Sequence, residues 1–132
     1  MTTLPSFRRK KCHRPPPSCA AALAALRVLE REPHRVDQLR QNSKLFLELA
    51  TAAGFNTGMS RDTSIVPIIL GNSMLALQMS KALFDRGVNV QPILHPAVEE
   101  KAARLRFFIT SAHTEEQIRY TVDALVGMQD CV

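Results

Sequence analysis

The segment RLRFFIT at residues 104–110 places two arginines in a pattern typical of a β-strand. Side chains alternate between the two faces of a strand, so one face is predicted to carry only apolar groups that helices would cover: Leu105, Phe107 and Ile109. The opposite face then carries Arg104, Arg106, Phe108 and Thr110. A guanidinium grips a carboxylate through two parallel hydrogen bonds, which makes this face a candidate carboxylate site. The alternative is an arginine that is solvated or paired with Glu99 or Glu100.

Two histidines flank this segment in the sequence. His113 lies between the strand and the start of the next helix, where it could orient a ligand or donate to a carbonyl. His95 precedes Pro96 in a loop, where a histidine usually faces solvent. Neither has a nucleophile or a carboxylate as an evident partner in sequence, so no catalytic triad is predicted.

The cysteines do not indicate a metal site. Cys12, Cys19 and Cys131 are odd in number, scattered in spacing and without a CxxC pair. This usage predicts free thiols in a reducing cytoplasm and no disulfide framework. No metal-binding residue is predicted.

The elements that must position these residues form a short series. The first two predicted elements are a helix from Ser18 to about Glu32 and a helix from Pro33 to Ala53. They are followed by a strand in SIVPIILG and by a helix from Asn72 or Ser73 to Arg86. The last elements are strands in VNVQPIL and RLRFFITS and a helix that begins at Thr114. This order predicts a two-layer α+β domain with a small, mostly antiparallel sheet and helices on one face. Pro67 lacks the N–H that a central ladder position uses, which favours an edge position or a local irregularity for the first strand.

Two predictions concern the apolar core. The last helix should bury a stripe made of Ile118, Val122, Leu125 and Val126. Four methionines should act as core filler: Met59, Met74, Met79 and Met128.

Charge is distributed unevenly along the 132 residues, a length that suits one domain. The net charge of +5 comes from a basic block between Arg8 and Arg14, and no acid precedes Glu30. We therefore predict a basic leader at residues 1–14 and a folded domain at residues 15–132. Only Phe7 could stack on bases beside that block, so nucleic-acid binding is disfavoured. No apolar run approaches the roughly 18 residues that span a membrane.

The motif SIVPIILG, an amphipathic helix, RGVNVQPI and ARLRFFITSAHTEEQI together resemble the C-terminal small domain of the α-oxoamine synthases. The resemblance extends from about Pro16 to Gly127. The family includes 8-amino-7-oxononanoate synthase, glycine C-acetyltransferase, 5-aminolevulinate synthase and serine palmitoyltransferase. Its members use pyridoxal 5′-phosphate to condense an amino acid with an acyl thioester, with decarboxylation.

The resemblance implies roles for particular residues. The second arginine of the family's R-x-R strand binds the substrate carboxylate, and Arg106 matches it. Neighbours of that site would be His95, Arg104, Phe108 and His113. The loop HPAVEEK lacks the glycine of the family's V-P-x-G pattern and looks like a polyketide-associated variant. The acyl donor is therefore left open between coenzyme A and a carrier protein.

The resemblance also places the cofactor site in a large domain outside this sequence. None of the five lysines stands in the family's Schiff-base motif: Lys10, Lys11, Lys44, Lys81 and Lys101. We therefore expect this chain to contain no catalytic or cofactor-binding residue and to be inactive alone. It would be either a fragment of a longer enzyme or a chain whose large domain is supplied by a separate polypeptide. The resemblance also implies a homodimer, as in the family. The alternatives are a free-standing module that binds an amino or keto acid, and the small domain of an aminotransferase.

Overall fold

The computed structural model describes residues 16–129, which fall into two units, one up to Pro33 and the other from His34 onward. The basic leader predicted at residues 1–14 lies outside the described residues, as do Cys12 and Cys131. Cys19 is exposed and is a free thiol.

The first unit contains helix α1, Pro16–Arg31. It begins two residues before the predicted start at Ser18, because a proline is tolerated in the first helical turn, where its missing N–H has no partner to lose. None of its residues is buried, and its leucines are exposed: Leu23, Leu26 and Leu29. Pro33 follows the end of the helix, as expected from its clash with helical geometry in the preceding residue.

The second unit alternates helices and strands. Its elements are α2 (His34–Ala52), β1 (Ile65–Ile69), α3 (Ser73–Asp85), β2 (Gln91–Ile93), a 3₁₀ turn (Glu100–Ala102), β3 (Arg104–Phe108) and α4 (Glu115–Gln129). The strand order is β1-β3-β2, and β3 pairs antiparallel with both neighbours. Four helices and this small antiparallel sheet confirm the predicted α+β class.

Pro67 lies in edge strand β1, as predicted. Ile109 N–H donates to the carbonyl of Ser64 (2.8 Å). Every second residue of β1 counted from Ser64, which means Val66 and Ile68, therefore directs its backbone hydrogen bonds toward β3. Ile69 instead donates outward, to the carbonyl of Asn56 (2.8 Å). At Pro67, as at Ile69, the backbone nitrogen faces away from β3, so the missing N–H of the proline costs no hydrogen bond to β3.

The core of the second unit lies between one face of the sheet and helices α2, α3 and α4. Along β3, Leu105, Phe107 and Ile109 are buried, as the alternation predicted, while Arg106 and Phe108 are exposed. The rings of Phe46 in α2 and Phe107 have centroids 5.0 Å apart, which joins a helix to the centre of the sheet.

Three core predictions were wrong. Val126 in α4 is exposed, and Met128 takes its place because the buried stripe continues with a spacing of three residues after Leu125. Met59 and Met74 are exposed too, since one lies in a turn and the other in the first turn of α3. Met79 and Met128 are buried, as expected of core filler.

Candidate functional site

Arg106 lies at the middle of the central strand, on the face of the sheet that α2, α3 and α4 leave open. Its Cα is paired with Pro67 of β1 and with Gln91 of β2. Arg106 and Gln91 are exposed, and Pro67 is partly buried. Within residues 16–129, the Arg106 guanidinium has neither an ion pair nor a hydrogen bond. Its full set of donors is therefore available to a ligand.

Arg104 lies on the same face but is more constrained. It is partly buried, and its Nε donates to the carbonyl of Ala102 (2.9 Å). This bond holds the guanidinium near the start of β3 and leaves its terminal nitrogens available. The two arginines are two residues apart in the strand, about 6.6 Å along its axis.

The alternative in which an arginine pairs with Glu99 or Glu100 is wrong for the described part of the chain. Glu100 instead accepts two hydrogen bonds from Ser73, the first residue of α3: Oε1 from the N–H (2.7 Å) and Oε2 from the hydroxyl (2.6 Å). No ion pair joins Glu99 to either arginine among residues 16–129.

Apolar side chains surround the arginines on the open face. By alternation and register, this face carries Ile65, Pro67, Ile69, Ile93 and Phe108. Phe108 is 51% exposed and Ile65 is 42% exposed. An exposed apolar patch around a charged centre is typical of a surface that another protein element covers.

His113 is held by a buried amide that the sequence analysis did not single out. Asn42 of α2 is 4% exposed, and its Nδ2 donates to the carbonyls of Thr110 (3.0 Å) and His113 (2.8 Å). The Thr110 N–H donates to His113 Nδ1 (3.1 Å), which directs Nε2 away from that turn. Asn42 thus fixes the turn that follows β3. The sequence feature that could have identified it is a polar residue at helical spacing among the apolar residues of α2.

A groove of about 510 Å³ lies beside this turn, between the end of β3, the first half of α4 and the loop before β2. Phe46 and Phe107 line it from the core, and Phe108 and His113 are also among its lining residues. Phe108 therefore belongs both to the groove and to the face that carries Arg106.

His95 lies at the other end of the sheet, so the structure does not bring the two histidines together. It follows β2, whose last residue Ile93 pairs with Arg104, whereas His113 follows the far end of β3. The His95 N–H donates to Ser73 Oγ (3.2 Å), the same hydroxyl that donates to Glu100. His95, Ser73 and Glu100 thereby join the loop before β3 to the start of α3.

Glu100 makes the stability of this junction depend on pH. The Ser73 hydroxyl, and then the Ser73 N–H, lower the pKa of the Glu100 carboxyl. A lowered native pKa stabilises the fold above the unfolded pKa of about 4.3, and this contribution is lost as pH falls through the native pKa. We expect Glu100→Gln to lower the melting temperature at pH 7 and to have a progressively smaller effect as the pH falls toward 3. Melting curves across this range, with Glu99→Gln as the control, test this; an equal loss at both pH values would contradict it.

The described residues do not fit a pyridoxal-phosphate site. Lys44 pairs with Glu48 (3.8 Å) and Lys81 with Asp85 (3.0 Å), both along exposed helix surfaces. Lys101 is exposed in the 3₁₀ turn. None of these lysines lies on the open face or lines the groove. Residues 16–129 also contain no group of three metal-ligating side chains, and none of their helices could span a membrane.

Comparison with known sequences gives a consistent set of relatives. The family described as aminotransferase class I and II matches residues 5–125. The 8-amino-7-oxononanoate synthase of Symbiobacterium thermophilum is 42% identical over 104 residues, which are 79% of this chain and 26% of that enzyme. The 8-amino-7-oxononanoate synthase/2-amino-3-ketobutyrate coenzyme A ligase of Thermus thermophilus is 34% identical, over 83% of this chain and 28% of its own length.

Solved structures agree with the sequence relatives. The 8-amino-7-oxononanoate synthase of Francisella tularensis superposes with a TM-score of 0.73 and 28% identity, over 83% of this chain and 32% of that chain. A serine palmitoyltransferase of S. paucimobilis with bound pyridoxal phosphate and myriocin gives a TM-score of 0.77 and 26% identity, over 85% and 28%. The chain spans about a quarter of the length of the curated relatives it matches.

Proposed function

Because this chain belongs to the class I and II aminotransferase family, and within it to the α-oxoamine synthases, we propose that it supplies the substrate-carboxylate site of a decarboxylating acyltransferase. The observation that carries the proposal is the Arg106 guanidinium. It is exposed at the centre of the open face, and no acid pairs with it within residues 16–129. The substrates proposed are an amino acid and an acyl thioester.

The family depends on pyridoxal phosphate, which acts as an electron sink for a carbanion when it is bound. Since the described residues do not fit that cofactor, we propose that a large domain outside residues 15–132 holds it and supplies the Schiff-base lysine. This chain would then contribute binding and orientation, and would be inactive alone. The assembled enzyme is proposed to be a cytoplasmic homodimer.

Arg106 would orient the amino acid through its carboxylate. Two parallel hydrogen bonds from a planar guanidinium fix both the position and the plane of a carboxylate. The rest of the amino acid is then held in a defined direction, which favours reaction by restricting its motion. The apolar flanks at Ile69, Ile93 and Phe108 would exclude water once the large domain covers the open face, and the ion pair would be stronger there.

A chimaeric enzyme tests this function. Residues 16–132 would replace the matching segment of the Symbiobacterium thermophilum enzyme, which provides the remaining three quarters of a relative's length. We expect the chimaera to bind pyridoxal phosphate and to form product from the parent enzyme's amino acid and acyl thioester. Assays with coenzyme A and carrier-protein thioesters would then identify the donor. A folded, cofactor-bound chimaera without activity would contradict the proposal.

The full chain alone provides the matching control. We expect it to form no product with pyridoxal phosphate, the amino acid and the thioester together. Binding of an amino or keto acid to the full chain in the micromolar range, combined with an inactive chimaera, would instead favour the free-standing binding module.

A further inference from the structure

We propose that Gln91 is a second group that binds the substrate carboxylate, beside Arg106. This inference rests on the proposed function and identifies the residue that sets the orientation of the bound amino acid. The two residues come from different strands and are 15 positions apart in the sequence, and the β2–β3 register places them directly opposite each other.

The strand phase determines how close the two residues lie. Ile109 N–H donates to the carbonyl of Ser64, so every second residue of β3 counted back from Ile109, which means Phe107 and Leu105, forms its backbone hydrogen bonds with β1. Arg106 lies between these residues, so its backbone N–H and C=O face the other neighbouring strand, β2, at Gln91. Gln91 and Arg106 thus form a hydrogen-bonded pair, in which the Cα atoms are about 5.5 Å apart and both side chains project to the same face.

The two flanks of Arg106 differ in chemistry. On the β1 side lies Pro67, whose ring offers no donor. On the β2 side lies Gln91, which is exposed and whose amide has no hydrogen-bond partner among residues 16–129. The remaining strand positions on this face are Arg104 and the apolar Ile65, Ile69, Ile93 and Phe108. Gln91 is therefore the uncharged donor that a carboxylate on Arg106 can reach.

A carboxylate can accept more hydrogen bonds than one guanidinium edge provides, since its two oxygens have about four lone-pair sites. With Arg106 occupying one side, the Gln91 Nε2–H₂ would donate to the oxygen nearer β2. The carboxylate is then held off the strand axis, toward β2 and away from Pro67. This asymmetry would decide which side of the amino acid faces Phe108 and the groove.

Substitutions in the chimaera test this role by calorimetric titration with the parent enzyme's amino acid. Gln91→Leu should weaken binding by about fivefold to tenfold, as expected for the net contribution of one hydrogen bond. Gln91→Glu, which keeps the side-chain size, should weaken it at least as much at pH 7 because the new carboxylate pairs with Arg106. Gln78→Leu on exposed α3 is the matched control.

The full chain gives a second readout that does not depend on the cofactor. In a titration with glycine, the side-chain NH₂ resonances of Gln91 should shift, whereas those of Gln78 should not. Unchanged affinity in both Gln91 variants, with a large loss in Arg106→Ala, would overturn this inference and leave the proposed function intact. Unchanged affinity in Arg106→Ala as well would overturn both.

Discussion

Replacing Arg106 with alanine in the chimaera is expected to weaken amino-acid binding by about 100-fold, or about 2.7 kcal/mol. The substitution removes a charged, bidentate partner and leaves the substrate carboxylate without compensation on a covered face. The expected kinetic result is a large fall in kcat/KM for the amino acid. The KM of the acyl thioester should change little, because Arg106 is proposed to contact only the amino acid.

Two further variants separate the shape of the guanidinium from its charge. Arg106→Lys keeps the charge but loses the planar fork, so it should recover only part of the affinity. Arg119→Ala removes an exposed arginine that pairs with Glu115 (2.6 Å) on α4, and it should bind the amino acid normally. An Arg106→Ala chimaera with wild-type affinity would remove Arg106 from the site.

The second large effect is expected on stability. Leu105 is fully buried in β3, where it lies between the two arginines in sequence and projects to the opposite face of the sheet. Leu105→Ala in the full chain should lower the free energy of unfolding by about 3 kcal/mol, since it removes buried methyl groups and leaves a cavity that a rigid sheet cannot fill. Urea unfolding followed by circular dichroism measures this change, with an unchanged m-value indicating the same unfolding transition.

The matched control is Leu77→Ala, at a position of α3 that is 49% exposed. It should change the unfolding free energy by less than about 0.5 kcal/mol. Arg106→Ala should also leave stability nearly unchanged, because its side chain is exposed and makes no ion pair within residues 16–129. Equal losses of unfolding free energy at Leu105 and Leu77 would contradict the described difference in burial between these two positions.

Local patterns in the sequence were sufficient to predict which face of β3 carries Arg106. The alternation of side chains is a property of each strand by itself, and the lack of an N–H in Pro67 excludes it from a central ladder position. The capping pattern at Thr114 is equally local: its hydroxyl accepts from Gln117 N–H (3.3 Å), and Gln117 Oε1 accepts from Thr114 N–H (3.1 Å).

The partners of these residues could not be predicted in the same way, because they depend on strand order and register. Gln91 becomes the neighbour of Arg106 only when β3 inserts between β1 and β2. Glu100 likewise reaches Ser73 across 27 positions, which no helical or strand period connects. The cofactor, the large domain and the acyl donor stay proposals that rest on family membership.

The most direct test of the proposed carboxylate site compares the parent enzyme's amino acid with the corresponding amino-acid amide, which lacks the negative charge. Dissociation constants for both would be measured with the unsubstituted chimaera and with Arg106→Ala. We predict that the unsubstituted protein prefers the carboxylate by about 100-fold and that this preference nearly disappears in Arg106→Ala. A preference that stays near 100-fold after the substitution would mean that a residue other than Arg106 provides most of the carboxylate binding, which contradicts the proposed role of Arg106 on the open face.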